Sequence, residues 1–212
     1  RIASLLHVKR QAESLAAFHP ALTPVKLDRH SRYHAVSLTS GASISRNEVR
    51  VSFNGEGAEA LMAGGTLLRG RQHADSTTQI EHTVPHTSSN QIFRNVLDGA
   101  AHSVFQGGVM VRQDAQNTDS SQSNHNILLS EGAQADTKPE LQIFADDVKC
   151  SHGATVGDLD ETALFYLQSR GIPARHAKAL LIEAFIAEIS DALSTGTVRD
   201  HVVDAVSAWM ED

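Results

Sequence analysis

From about Val25 to Gly157 the chain is made of short segments in which apolar and polar residues alternate, with small turn-forming residues between them. Six segments carry this pattern: HAVSL, EVRVSF, TQIEHTV, GGVMVR, NILLS and ELQIFA. A period of two is typical of strands that bury one face. Because no helical pattern separates these segments, they favour an all-β solenoid in which each coil packs on the next. A β-sandwich is the alternative.

Glycine–alanine pairs mark turns between these segments. They occur in SGA at 40–42, EGA at 56–58, DGA at 98–100 and EGA at 131–133, at spacings too irregular for a strict repeat. The first 24 or so residues fit either a helix or a strand, and Pro20 and Pro24 would interrupt any helix there. Their conformation is left open.

The last quarter of the chain has helical signals instead. Asp158 and Glu161 have the spacing of a capping box, and wide apolar stripes at helical period follow, with Leu180, Leu181, Phe185 and Ile189 in the longest of them. Such stripes either pack on the β core or dock a partner protein. We therefore expect a β-helix core over residues 1–157 and a helical domain over residues 158–212.

Charge and hydropathy exclude several function classes. The net charge is −7, and most of it belongs to residues 158–212, where four bases and ten acids give −6. Such a surface repels phosphate backbones and anionic membranes, so we expect neither nucleic acid nor membrane as a partner. No apolar run spans a bilayer and no export signal is visible. A single cysteine fits a reducing compartment, and the prediction is a cytoplasmic protein.

Familiar catalytic motifs are missing. The sequence has no phosphate-binding loop, no dinucleotide-binding glycine motif and no nucleophile elbow. His82 and His86 are four residues apart, but Pro85 lies between them and Glu81 precedes them, which excludes a zinc-binding helix. The sequence therefore predicts no nucleotide in this subunit.

The stretch DDVKCSHGATVG, residues 146–157, holds the single cysteine, Cys150, with His152 two residues later. On a strand, residues two apart point to the same face, so the thiol and the imidazole would lie close together. This pair suits zinc, copper or iron–sulfur species, but two ligands do not complete a site. A small buried thiol without chemistry, a metal or cluster contact, and a nucleophile with its base all remain open at this point.

The same region resembles a known family. The segment DTKPELQIFADDVKCSHGATVGDLDETALFYLQSRGI, residues 136–172, is similar to the SufB/SufD family of iron–sulfur cluster assembly proteins, and to its SufD branch in particular. Residues 45–82 and 96–141 support the resemblance, which weakens over the last forty residues. It implies a right-handed parallel β-helix with helices at its ends, and a non-catalytic scaffold.

The resemblance also implies partners and site residues. A SufD-like chain pairs with a SufB-like subunit through β-helix edges and binds a SufC-like ATPase through C-terminal helices. Cys150 and His152 would then contact iron or a transient iron–sulfur cluster shared with SufB. Asp146, Asp147 and Lys149 would belong to the partner-binding edge, and Leu180, Leu181, Phe185 and Ile189 to the helical contact. Because an isolated β-helix has open end coils and exposed strand edges, a homodimer through the Cys150 edge is expected when SufB is missing.

Two other functions compete with this interpretation. The first is a β-helix carbohydrate-active enzyme in which Asp75, Asp98 and Asp114, on neighbouring coils, act as acid, base or calcium ligands. The second is a purely structural solenoid that associates with itself.

Overall fold

A computed structural model gives the architecture of the protein and describes residues 4–191 and 196–211. Eleven strands precede three helices in the described part of the chain. The strands are β1 Ser4–Gln11, β2 Phe18–Leu27, β3 Arg32–Thr39, β4 Ile44–Phe53, β5 Glu59–Leu68, β6 His73–His82, β7 Ser88–Leu97, β8 His102–Val111, β9 Asp119–Leu128, β10 Gln134–Ile143 and β11 Lys149–Gly157. The helices are α1 Glu161–Ser169, α2 Ala174–Asp191 and α3 Gly196–Glu211.

The strands alternate between two parallel sheets. Sheet A has the order β1-β3-β5-β7-β9-β11, and sheet B has the order β10-β8-β6-β4-β2. Successive strands therefore lie on opposite walls, and each coil stacks on the one before it. This is the parallel β-solenoid with C-terminal helices that the sequence predicts.

Pairing between coils keeps a strict register. Tyr33 pairs with Ala60, Ala60 with Ser89, Ser89 with Ser120, and Ser120 with Cys150. Because neighbouring strands are parallel and about 4.8 Å apart, each inward position forms a column that runs through the coils. A residue's neighbours in the interior follow directly from its place in the register.

Apolar side chains fill the interior of the middle coils. Phe53, Ile80 and Val111 are buried inside the solenoid in one hydrophobic cluster. Polar side chains line much of the interior wall of β7 and β9, where Ser89, Gln91, Asn95, Ser120, Gln122, Asn124 and Asn126 are buried. The hydrophobic interior therefore changes to a polar one along sheet A.

A second core lies outside sheet A, beneath the helices. Ile182, Ile186 and Ile189 of α2 are fully buried against outward residues of sheet A such as Leu38. At Gly65 of β5, a Cβ would come within 2.9 Å of both Ile189 and Leu38. Glycine at this position therefore lets α2 approach the sheet closely.

Two of the predicted Gly–Ala turns need glycine for their backbone conformation. Gly57 has φ +70° and Gly99 has φ +71°, in the left-handed region that other residues rarely adopt. The alanines that follow the turns, Ala58 and Ala101, are fully buried. These corners connect the two sheets without interrupting the register.

The first segment, which the sequence left open, forms two strands. Pro20 and Pro24 lie within β2, at the end of sheet B. A proline is tolerated there because an edge strand has no neighbour on one side to receive its missing N–H. Within residues 4–191 and 196–211, no helix combines the length and apolarity that crossing a bilayer requires.

The N-cap of α1 is Asp160 and not Asp158, so the capping box predicted from the sequence is wrong, and this helix start provides a test of the helical region. The Asp160 carboxylate accepts hydrogen bonds from the backbone N–H groups of Thr162, at 2.8 Å, and Ala163, at 3.1 Å. Replacing Asp160 with alanine should cost about 1 kcal/mol of helix stability, seen as faster amide hydrogen exchange in α1. Asp160→Asn keeps a capping oxygen and serves as the control; equal exchange in the alanine and asparagine variants would contradict the assignment.

Candidate functional site

Cys150 and His152 lie on the last strand of the solenoid. The strand β11 pairs with β9 along one side and is the terminal strand of sheet A in the described part of the chain. The extended stretch before Cys150 is interrupted, because β10 ends at Ile143 and β11 begins at Lys149. The cysteine therefore belongs to a new strand, and not to the end of the ELQIFA segment.

Both side chains share the inward face of β11. Cys150 pairs with Ser120 and His152 pairs with Gln122, and these two β9 residues are buried inside the solenoid at 1% and 4% exposure. Side chains of paired residues on parallel strands point the same way. The structure thus places thiol and imidazole side by side, on the open rim of the interior.

The two side chains differ in burial. Cys150 is a free, half-buried cysteine that packs against the interior hydrophobic cluster. Burial raises the pKa of its thiol, and the negative charge of Asp119 raises it further. The thiol is therefore protonated at neutral pH, and a metal ion binding there would displace that proton. His152 is exposed at the rim.

Hydrogen bonds of its backbone hold the turn before β11 against the preceding coil. Asp147 receives a hydrogen bond at its carbonyl from the Asn117 N–H, at 2.6 Å, and donates its own N–H to the Gln116 side chain, at 2.9 Å. The Lys149 N–H bonds the Thr118 carbonyl at 2.9 Å. The side chains of Asp146, Asp147 and Lys149 are exposed. They are free to meet a partner at this edge.

A row of hydrogen-bonded side chains leads through the interior towards Cys150. The ring of His82 is fully buried, and its Nε2 lies 3.0 Å from the Ser89 hydroxyl. Ser89 is hydrogen-bonded to Ser120 at 2.8 Å, and Cys150 is the next residue in that column. Burial lowers the pKa of His82 to about 4, so this ring is neutral at physiological pH.

The column beneath His152 is different, because its polar groups lack partners. The side chain of Gln122 is buried, and neither its carbonyl oxygen nor its amide nitrogen has a hydrogen-bond partner. One coil further in, Gln91 accepts a hydrogen bond from Thr78 at 2.6 Å but has an unpaired amide nitrogen. Sequence reasoning missed Gln122, because a glutamine in a serine- and asparagine-rich strand carries no signal by itself.

The site offers too few ligands to hold a metal ion alone. Among residues 4–191 and 196–211, no three His, Cys, Asp or Glu side chains come together in a way that could hold a metal. Thiolate and imidazole are nevertheless good ligands for iron and for iron–sulfur clusters. The arrangement can contribute one or two ligands to a centre that another polypeptide completes.

The predicted helical contact residues are only partly at the surface. Leu180 is 47% exposed, Leu181 and Phe185 are half-buried, and Ile189 is fully buried between α2 and sheet A. Phe185 also lies over the guanidinium of Arg94, at 5.9 Å from the ring centre. The stripe therefore packs mainly on sheet A, and Ile189 has no surface to offer a partner in this conformation.

Two large aromatic side chains are exposed on α1. Phe165 is 73% exposed and Tyr166 is 55% exposed, and α1 contributes no buried residue of its own. The helical contact predicted from the sequence lies on α2, so sequence reasoning missed these two side chains of α1. The available signal was the pair of adjacent aromatic residues.

Of the three acids of the carbohydrate-enzyme alternative, Asp75 and Asp98 have structural partners, and Asp114 is exposed to solvent. Asp75 accepts a hydrogen bond from Thr77 at 2.8 Å and lies near Arg46. Asp98 is bonded by Ser130 and by the Gly99 N–H, and the Ser130 bond is the main cause of its lowered pKa. A general acid needs the opposite shift, so Asp98 is poorly suited to that role.

Comparison with known proteins gives a consistent result. Residues 1–185 match the family described as "SUF system FeS cluster assembly, SufBD core domain". The chain is 38% identical over 205 residues to the iron-sulfur cluster assembly SufBD family protein slr0076 of Synechocystis, covering 97% of this chain and 45% of the relative. It is 34% identical over 201 residues to the iron-sulfur cluster assembly protein SufD of Escherichia coli, covering 95% and 48%.

A plant protein is similar to the chain as well. Protein ABCI7, chloroplastic, of Arabidopsis thaliana is 34% identical over 209 residues, covering 98% of this chain and 44% of the relative. The chain spans about half the length of the curated relatives it matches.

Proposed function

Because this chain belongs to the SufBD core family of the SUF system, we propose that it is a non-catalytic, SufD-like scaffold in iron–sulfur cluster assembly. The iron–sulfur cluster is its cargo, held in transit and shared with a SufB-like subunit. The observation that carries the proposal is the position of Cys150 and His152, side by side on the inward face of the terminal strand. No nucleotide is handled by this subunit.

The edge of β11 suits a second polypeptide. Strand β11 pairs on one side, so its other side presents backbone N–H and C=O groups that another strand can bond. The neighbouring edge, β10, contains Pro139 and Lys138, which discourage strand addition. A SufB-like partner is therefore proposed to add at β11 and to supply the remaining ligands. In isolation, a second copy of this chain can occupy the same edge.

The helical surface suits a different partner. Phe165, Tyr166 and Leu180 are large, exposed side chains on α1 and α2, and exposed apolar side chains that lie together often mark a protein–protein contact. We place the contact with a SufC-like ATPase on this surface. It lies on elements separate from β11, so both partners can bind at once.

Anaerobic reconstitution tests the proposal. The full-length subunit is combined with iron, a sulfide source and its SufB-like and SufC-like partners, and cluster formation is followed by absorption and by iron content. We expect clusters in the complete assembly and none on this subunit alone. If clusters form at the same rate when this subunit is left out, the scaffold role is wrong.

A further inference from the structure

We propose that Gln122 is a positioning residue for His152. When a partner covers the end coil, the Gln122 carbonyl accepts the hydrogen of one ring nitrogen and leaves the other nitrogen free for iron. This inference rests on the proposed function. It adds a residue from β9 to a site so far built from β11 alone.

Register brings the two side chains together. His152 and Gln122 are direct partners across the β11–β9 pair, on the inward face. Paired strands lie about 4.8 Å apart, a gap that a glutamine amide and an imidazole bridge easily. His152 is exposed on the uncovered rim, and a partner stacked on this coil would confine its ring to the column above Gln122.

Gln122 has the free acceptor that this role requires. Its side chain is 4% exposed, and both its carbonyl oxygen and its amide nitrogen are buried without a partner. A buried polar group left unpaired is costly, so such groups in native proteins usually have a purpose or a partner that arrives later. Its amide lies close to Gly107 across the interior, where a Cβ would come within 2.8 Å of Nε2.

The chemistry of histidine ligands explains the benefit. A histidine that binds a metal through one nitrogen usually donates the other N–H to a carbonyl, carboxylate or water, which fixes the tautomer and the ring orientation. A fixed ring loses less entropy on binding iron. The unpaired carbonyl of Gln122 can serve as this acceptor without adding charge to the interior.

The test compares two methionine variants in the full-length subunit bound to its SufB-like partner. Gln122→Met removes the acceptor beside His152 at nearly constant size. Gln91→Met makes the same change one coil further in, where no histidine lies in the next position of the column. The probe is Fe²⁺ alone, with affinity measured against a competing chelator, and thermal unfolding reports folding.

Gln122→Met is expected to weaken Fe²⁺ binding roughly 10-fold to 100-fold, while Gln91→Met leaves the affinity within about twofold of the wild type. Nitrogen NMR of the His152 ring should show a single tautomer in the wild type and a mixture in Gln122→Met. The variant Gln122→Asn distinguishes a folding defect from the loss of the acceptor. Its side chain stays polar, but it is shorter and moves the carbonyl away from His152.

The outcomes divide clearly. Equal Fe²⁺ affinity in Gln122→Met and Gln91→Met, or an unchanged tautomer in Gln122→Met, overturns the positioning role and leaves the proposed function standing. If His152→Ala binds Fe²⁺ as well as the wild type, the site itself is wrong. In that case the metal contact of the proposed function fails, and the positioning role of Gln122 fails with it.

Discussion

Replacing His152 with alanine is expected to lower cluster assembly by the complete complex more than about tenfold, since even the loss of a group that only supports a ligand costs that much. The subunit should fold normally, because this side chain is exposed at the rim and no interior packing depends on it. The measurement is the rate of cluster absorption in anaerobic reconstitution, with circular dichroism and thermal unfolding of each variant.

Two further variants make this result specific. Ser151 is the exposed neighbour on the opposite face of β11, so Ser151→Ala should assemble clusters at the wild-type rate. His152→Cys offers a different iron ligand at the same place and should recover part of the activity. Wild-type rates in His152→Ala would remove His152 from the site, and a matching loss in Ser151→Ala would point to the strand edge instead of the imidazole.

Acid is expected to destabilise the solenoid through His82. Its pKa is about 4 in the folded protein, against 6.5 for an unburied histidine. Between these values the unfolded chain takes up a proton that the folded chain does not, so the free energy of unfolding falls as the pH falls from about 6.5 towards 4. Each pKa unit is worth about 1.4 kcal/mol, so the full loss is about 3 kcal/mol.

The structural cause is the closed environment of the ring. His82 stacks on Phe53, with ring centres 4.3 Å apart, and its Nδ1 lies 2.7 Å from the Thr87 hydroxyl. The pKa values of His73 and His125 are also lowered by burial, so they add to the slope in the same direction. Only the difference between the wild type and a variant isolates His82.

Urea unfolding at several pH values, in the wild type and in His82→Gln, provides that difference. The variant should be less stable at pH 7, because it loses the stacked ring, but its stability should fall less steeply towards pH 4. Parallel pH profiles for the two proteins would show that His82 does not carry the effect.

Much of the fold follows from the sequence because several strands of both sheets alternate apolar and polar residues. Where one face is apolar and the other polar, as in EVRVSF, the period of two is visible. Strands β5 and β7 lack this alternation of apolar and polar residues. β5 is buried along nearly its whole length, and β7 turns serine, glutamine and asparagine towards the interior. Of β9, only the end was recognisable, because its inward residues are polar as well.

The candidate site also has one part that the sequence predicts and one that it does not. The pairing of Cys150 with His152 on one face could be deduced from their spacing, since an extended chain leaves no other arrangement. The residues behind them could not be deduced, because Gln122 and Ser120 become their neighbours only through a register that joins positions some thirty residues apart. The burial of Ile189 depends on how α2 lies against Gly65, which no local pattern reveals.

The one-sided pairing of β11 has a consequence for how a cell must produce this protein. On the proposal that a SufB-like strand covers β11, a subunit made in excess of that partner keeps an unpaired strand edge, and unpaired edges promote misassembly and degradation. Synthesis of the two subunits at the same time and in equal numbers would limit the amount of uncovered edge. The relative amounts of the two subunits, as much as their affinity for each other, would then determine how much of the complex accumulates.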